Sequence, residues 1–217
     1  MKNLIISLVF VAFAFPALGQ ITHTDKGAID QNAEKTLKKA SDKLNAGPVS
    51  FSVTMVNRDA NKKETARMKA DVLYNKGKYR ISFDGNTLYC DGLSTWHWNK
   101  EASEVVVNKM STSNDDLMNP AVILSSYQKN YKAKFIRLEQ NGNAIIDLTP
   151  KQAKSYYKIR LAINTNNYVV QKMEIHNYDS SCGEYLVSNF KSGVKTEDSD
   201  FTFLKGQHPD VEVIDMR

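Results

Sequence analysis

Apolar and polar residues change their spacing along this chain. Across residues 25–45 the apolar positions Ile29, Ala33, Leu37, Ala40 and Leu44 recur at helical spacing. Gly47 and Pro48 follow, so the pattern predicts a helix over 25–45 that stops there. From residue 49 the period falls to two. In "VSFSVTMVN" Val49, Phe51, Val53 and Met55 alternate with Ser50, Ser52 and Thr54. In "ETARMKADVLY" Ala66, Met68, Ala70, Val72 and Tyr74 oppose Arg67, Lys69 and Asp71, and in "YRISF" Tyr79, Ile81 and Phe83 share a face. Short β-type runs continue through "TLYC", "TWHWN", "EVVV", "YKAKFIRLEQ", "AIIDLT", "YKIRLAIN", "YVVQKMEIHNY" and "EYLVSNF". Turn signals such as "DGN", "NGN", "TNN" and "SSCG" separate them at hairpin length. The template yields about eleven strands in an antiparallel sheet, a mainly β fold with helices added (α+β).

One stretch breaks the alternation. In "STSNDDLMNPAVILSSYQKN" Asn119 and Pro120 read as an N-cap followed by proline at the first helical position. Met118, Val122, Ile123 and Tyr127 then gather on one side of a second helix. A sheet of this size curls, and each strand offers one apolar face. The two helices therefore cover the face around which the sheet curves, and either a filled core or a lidded cavity satisfies that arrangement.

The first residues stand apart. Lys2, the apolar run "LIISLVFVAFAFPALG" and the small residues Ala17 and Gly19 read as a signal peptide over 1–19, leaving one domain over 20–217. No cysteine follows that cleavage site, so no lipid anchor is expected there. No other run is long and apolar enough for a spanning helix, and a soluble exported protein is expected. The formal charge of +5 is spread along the chain, with "EKTLKKASDK" mixing both signs as a solvated helix face does. Nucleic acid is not an expected partner. Cys90 and Cys182 are the two cysteines, and the sequence leaves their pairing open.

The chemistry-bearing residues argue against catalysis. His23, His97, His176 and His208 sit at no metal-ligand spacing, and no G-x-S-x-G occurs. Cys90 and His97 lack an evident third group to orient them. No cofactor or metal is expected. "DGLSTWHWNK" holds the two tryptophans of the chain, and on a strand Trp96 and Trp98 share one face while His97 takes the other. That pair needs a large apolar counterpart, either a protein core or a ligand.

Four stretches together resemble the outer-membrane lipoprotein carrier (LolA-like) family: "LKKASDKLNAGPVSFS", "DGLSTWHWN", "IDLTPK" and the tail "FTFLKGQHPDVEVID". Their order and spacing hold from about residue 30 to the C-terminus. The resemblance implies an unclosed β-barrel whose concave apolar side is lidded by helices. It implies a monomeric carrier that takes acylated lipoproteins from an inner-membrane ABC-type release complex to an outer-membrane receptor or to the outer membrane itself. On that reading the cavity wall is Phe51, Val53, Met55, Met68, Ala70, Val72, Tyr79, Ile81, Phe83, Trp96 and Trp98, and the lid is Leu37, Leu44, Met118, Val122, Ile123 and Tyr127. Methionine suits such a wall because its side chain reshapes at low cost. The family carries an inward arginine that latches the lid, and here "YNKGK" places Lys76 at that position with the parity of Met68 to Tyr74. Lysine lacks the planar fork of arginine but still donates to carbonyls. The same fold also serves lipid-sensing or regulatory proteins that bind a signalling protein, which is the alternative function.

Overall fold

The computed structural model describes residues 30–110 and 120–217. The expected signal segment, Ile29 and Met118 lie outside the described residues. The first helix, α1 (Gln31–Asn45), begins where Asp30 Oδ1 accepts hydrogen bonds from the backbone N–H groups of Asn32 and Ala33, 3.1 Å each. Glu34 in its first turn and Lys43 in its last suit the helix dipole, and Ala33, Leu37, Ala40 and Leu44 form its buried stripe.

The chain then forms a meander of β1 (Val49–Arg58), β2 (Glu64–Asn75), β3 (Lys78–Phe83), β4 (Asn86–Cys90), β5 (Ser94–Asn99) and β6 (Glu104–Lys109). After α2 (Pro120–Asn130), a second meander follows with β7 (Tyr131–Leu138), β8 (Asn143–Pro150), β9 (Tyr156–Asn164), β10 (Val170–Asn177) and β11 (Cys182–Ser192). Two 3₁₀ turns, Asp198–Phe201 and Lys205–Gln207, lead to β12 (Glu212–Asp215). All twelve strands join one sheet in the order β12-β6-β5-β4-β3-β2-β1-β11-β10-β9-β8-β7. The two meanders are sewn together by antiparallel pairing of β1 with β11. β7 and β12 are the unpaired ends, so the sheet is an open, curved barrel rather than a closed one. Two details depart from the expected eleven-stranded antiparallel sheet. A twelfth strand exists, and it runs parallel to β6, with Glu212 opposite Glu104 and Asp215 opposite Val107. Among the described residues no helix is long and apolar enough to cross a membrane.

The sheet buries both of its faces. On the inner face, side chains of β1–β3 and β7–β11 pack with α1 and α2 into one large cluster. On the outer face, a smaller cluster forms where residues 198–211 lie across β3–β6. Farther along the outer face, ion pairs form within and across strands. Arg160 grips Asp147 through Nε and Nη2 at 2.7 and 2.8 Å, Lys172 meets Glu174 at 2.7 Å, and Arg58 meets Glu184 at 3.0 Å. Burial would raise the Asp147 carboxyl, but the Arg160 hydrogen bond and the nearby Lys158 and Arg160 charges hold it below its usual range.

Candidate functional site

Strand register builds the inner wall. Phe51 lies opposite Val72, Val53 opposite Ala70 and Met55 opposite Met68, and Val72 in turn lies opposite Ile81. Phe51, Val53, Ala70, Val72, Tyr79 and Ile81 are buried in the same cluster as Leu37, Leu44, Ile123 and Tyr127. Met55 and Phe83 are half-buried against it. Met68 is half-buried beside Met55 at the far end of the wall. Val122 is within α2, and its side chain is not described. Sequence reasoning omitted the other half of the wall, supplied by the second meander: Ile146, Leu148, Ile159, Leu161, Met173 and Tyr185. The alternation of Ile159, Leu161 and Ile163 in "YKIRLAIN" carried that signal.

Two expected site assignments are corrected by position. Trp96 and Trp98 do not face the helices. Inward Ile81 of β3 pairs with Leu88 of β4, and Leu88 pairs with His97 of β5, so the inward residue of the "WHW" triplet is the histidine. His97 is exposed and stacks on Phe83 with ring centroids 6.5 Å apart. The tryptophans project from the outer face, packed against Val105, Phe203 and Val211. Trp98 lies 5.5 Å from the Phe203 ring and 4.3 Å from the His208 ring, with Lys100 Nζ 5.0 Å from its own ring centre. Their apolar counterpart is thus the C-terminal part of the protein itself.

Lys76 is not a latch. Strand parity ends at Asn75, and Lys76 and Gly77 form the tip of the β2–β3 turn at φ values of +49° and +92°. The lysine is exposed there. Other residues tie the helices to the sheet. Asp30 Oδ2 accepts from the Phe135 backbone N–H at 2.8 Å, which fixes the start of α1 to β7. The Tyr74 hydroxyl donates to Asn45 Oδ1 at 3.1 Å, which fixes its end to β2. Between them the Tyr127 hydroxyl donates to Glu34 Oε2 at 3.2 Å, joining α2 to α1. Burial and the adjacent Glu34 carboxylate push the Tyr127 hydroxyl up to about 12. Lys39 Nζ donates to the Tyr168 hydroxyl at 2.8 Å, linking the middle of α1 to the β9–β10 turn.

Among the described residues, the apolar opening beneath the helices is small. A crevice lined by Leu44, Phe51, Leu124, Val170, Val187 and Phe190 has about 30 Å³ of free space. That is about the share of one water molecule in the liquid and about a tenth of a small ligand pocket. The wall is therefore apolar and closed. Among the described residues no group of three His, Cys, Asp or Glu side chains could hold a metal ion. Cys90 lies opposite Thr95 rather than His97. Cys90 and Cys182 are buried thiols that form no disulfide. Register places them at opposite ends of β1, roughly 30 Å apart along the strand direction, so this fold does not pair them.

Comparison with known proteins agrees with this architecture. Residues 77–204, more than half of the chain, match the family described as outer membrane lipoprotein carrier protein LolA. No curated protein matches the sequence. Among solved structures, an uncharacterized conserved protein from Thermus thermophilus superposes with a TM-score of 0.60 at 13% identity, covering 85% of this chain and 99% of that one. A LolA superfamily protein from Nitrosomonas europaea gives a TM-score of 0.46 at 15% identity, covering 79% and 97%. The Pseudomonas aeruginosa MucA/MucB complex gives 0.42 at 12% identity, covering 84% and 63%.

Proposed function

This chain belongs to the outer membrane lipoprotein carrier protein LolA family, and from that premise we propose that it is a periplasmic carrier of lipoprotein acyl chains. The observation that carries the reading is the inner wall: a continuous apolar surface from two β-meanders, covered by two helices that satisfy their own backbone hydrogen bonds. Such a cover can leave the wall without unpairing its own backbone. An acyl chain then replaces helix side chains against Phe51, Val53, Val72 and Ile81, and one apolar contact is exchanged for another. Each methylene of a bound chain contributes about 0.8 kcal/mol, so several acyl chains leave a membrane at a useful rate only when a comparable surface receives them. The exchange also supplies reversibility, because the returning helices compete with the cargo. No bond is made or broken, and no catalytic group or cofactor is required.

The expected partners are acylated lipoproteins, an inner-membrane ABC-type release complex as donor, and an outer-membrane receptor or the outer membrane as acceptor. Export to the periplasm and action as a monomer belong to the same reading. The test is lipoprotein release from inner-membrane vesicles with and without the purified protein. A carrier brings a triacylated lipoprotein into the soluble fraction in a one-to-one complex. Failure to solubilise any lipoprotein, together with stable binding of a signalling protein, overturns the carrier reading in favour of a regulatory one.

A further inference from the structure

Five elements meet at the crevice in the inner cluster: the second half of α1 through Ala40 and Leu44, the start of α2 through Ala121 and Leu124, β1 through Phe51, β10 through Val170, and β11 through Val187 and Phe190. Among the described residues, it is an apolar place where the packing of the cover is incomplete. Its rim is built differently from its throat. Lys43 and Tyr168 line the outer part, and Lys39 lies one residue before Ala40 on α1. Lys39 Nζ reaches across to the Tyr168 hydroxyl at 2.8 Å and lies 4.5 Å from the centre of that ring. Tyr168 takes a φ of +57°, a left-handed conformation unusual for a bulky residue, and its backbone N–H donates to the Asn164 carbonyl at 2.8 Å. The turn thus holds the ring over the crevice at a local conformational cost.

The other ties of α1 differ in kind. Asp30 bonds backbone of β7, Asn45 bonds the buried Tyr74 at the end of the helix, and Glu34 joins helix to helix. The Lys39–Tyr168 contact is exposed, joins side chain to side chain, and spans from the helix cover to the rim of the sheet. An exposed contact of this type is worth well under the burial of one large side chain, so it opens before the apolar stripe of α1 separates.

We propose that this crevice is the portal through which an acyl chain enters the core, and that the Lys39–Tyr168 clasp is its gate. The inference rests on the carrier reading above and goes beyond it by assigning the point of entry. The ligand is a single saturated acyl chain, inserting methyl end first between Leu44 and Phe190. The lysine ammonium groups remain at the mouth, where their stems cover apolar surface and their heads stay in water.

Loading kinetics of dansyl-undecanoic acid test the gate. Tyr168→Phe removes the hydroxyl but keeps the ring, and Lys39→Met removes the charge but keeps the stem. Each variant loads the probe about two- to fivefold faster than the wild-type protein, the range expected from an exposed contact. Lys63→Met, which removes an exposed charge in the β1–β2 turn away from the crevice lining, loads at the wild-type rate. A stearic acid carrying a nitroxide near its methyl end broadens the NMR signals of Leu44, Phe51, Val187 and Phe190 first. The portal is refuted if the wild-type protein loads the probe but neither gate variant changes the rate. It is equally refuted if Lys63→Met accelerates loading as much, because the effect is then one of net charge and not of the clasp, or if the nitroxide broadens Met68 and Phe83 first. If the wild-type protein takes up no acyl probe at all, the carrier reading itself fails, an outcome distinct from these.

Discussion

On the inner face of the sheet two helices bury apolar stripes against β1–β3 and β7–β11, while on the outer face residues 198–211 cross β3–β6 mostly as irregular chain. Both covers bury aromatic side chains, yet their attachments are unlike. Each helix satisfies its own backbone and needs the sheet only for its apolar stripe and a few side-chain bonds. The C-terminal segment depends on the sheet more fully. Lys78 meets Asp198 at 2.7 Å and Arg80 meets Asp200 at 3.3 Å, Phe201 and Phe203 are buried, and β12 spends its backbone hydrogen bonds on β6. Removing a helix exposes apolar wall that cargo can cover. Removing the C-terminal segment exposes Trp98, Tyr89 and a strand edge together. On the proposed carrier reading, one sheet thus carries an exchangeable cover on one side and a fixed clamp on the other.

The strongest way to break this comparison is to cut a cavity in each half. Phe203→Ala is expected to cost about 3–5 kcal/mol and Leu37→Ala about 2–5 kcal/mol, both read by urea unfolding. The two losses should part company in binding. Leu37→Ala weakens the competing cover and tightens uptake of an acyl probe, whereas Phe203→Ala leaves uptake unchanged in the protein that remains folded. Acyl loading of the wild-type protein should also leave tryptophan emission unchanged, since both tryptophans belong to the clamp. A loading-dependent emission change would show that the two covers are coupled and end the comparison as drawn.

Alkali offers a smaller and more selective effect. Tyr127 has its hydroxyl raised to about 12 by burial and by Glu34, against about 10 in the unfolded chain. A raised value means that the folded state keeps its proton while the unfolded state loses it. The contribution is fully present below pH 10 and is lost as the pH rises from about 10 to 12. Hydrogen exchange in α1 and α2 should therefore accelerate across that window in the wild-type protein, and Tyr127→Phe should remove the part due to this residue. An identical alkaline profile in Tyr127→Phe would mean that Tyr127 does not govern the helical cover.

The smallest expected effect concerns Lys76. Exposed at a turn tip, Lys76→Leu should change stability by no more than about 0.5 kcal/mol and acyl binding by less than about twofold. A tenfold tightening of binding would restore the latch role that the family resemblance implied and would displace Lys39 and Tyr168 from theirs.

Much of the architecture was legible because burial on one face imposes a period of two. Each of the eleven expected strand runs corresponds to an observed strand, and α2 begins at Pro120 as its N-terminal signal implied. β12 was not legible because it is short and at the sheet edge, where solvent removes the alternation; Val213 is largely exposed. The face of the tryptophans was hidden for a different reason. Alternation within a strand separates two sides but does not say which side is inner, and that information passes through register from Ile81 to Leu88 to His97. Parity also misled at Lys76, where it was carried one residue past the end of β2 into a turn that "NKGK" itself announced. The wall from the second meander was visible as alternation in "AIIDLT" and "YKIRLAIN", but only pairing of β1 with β11 brings it beside the first.

That pairing, and the parallel pairing of β12 with β6, sets an order of assembly. β1 through β6 can pair with their neighbours as the chain emerges, since each hairpin is local. The two outer edges of that meander then wait. The β1 edge is closed only by Cys182–Ser192, and the β6 edge only by Glu212–Asp215. Until the last residues arrive, a six-stranded sheet presents two open edges and an uncovered pair of tryptophans, the surface most prone to pair with another copy. A chain lacking residues 198–215 thus leaves the tryptophans and the β6 edge bare, so these residues also guard the sheet against pairing with a second copy.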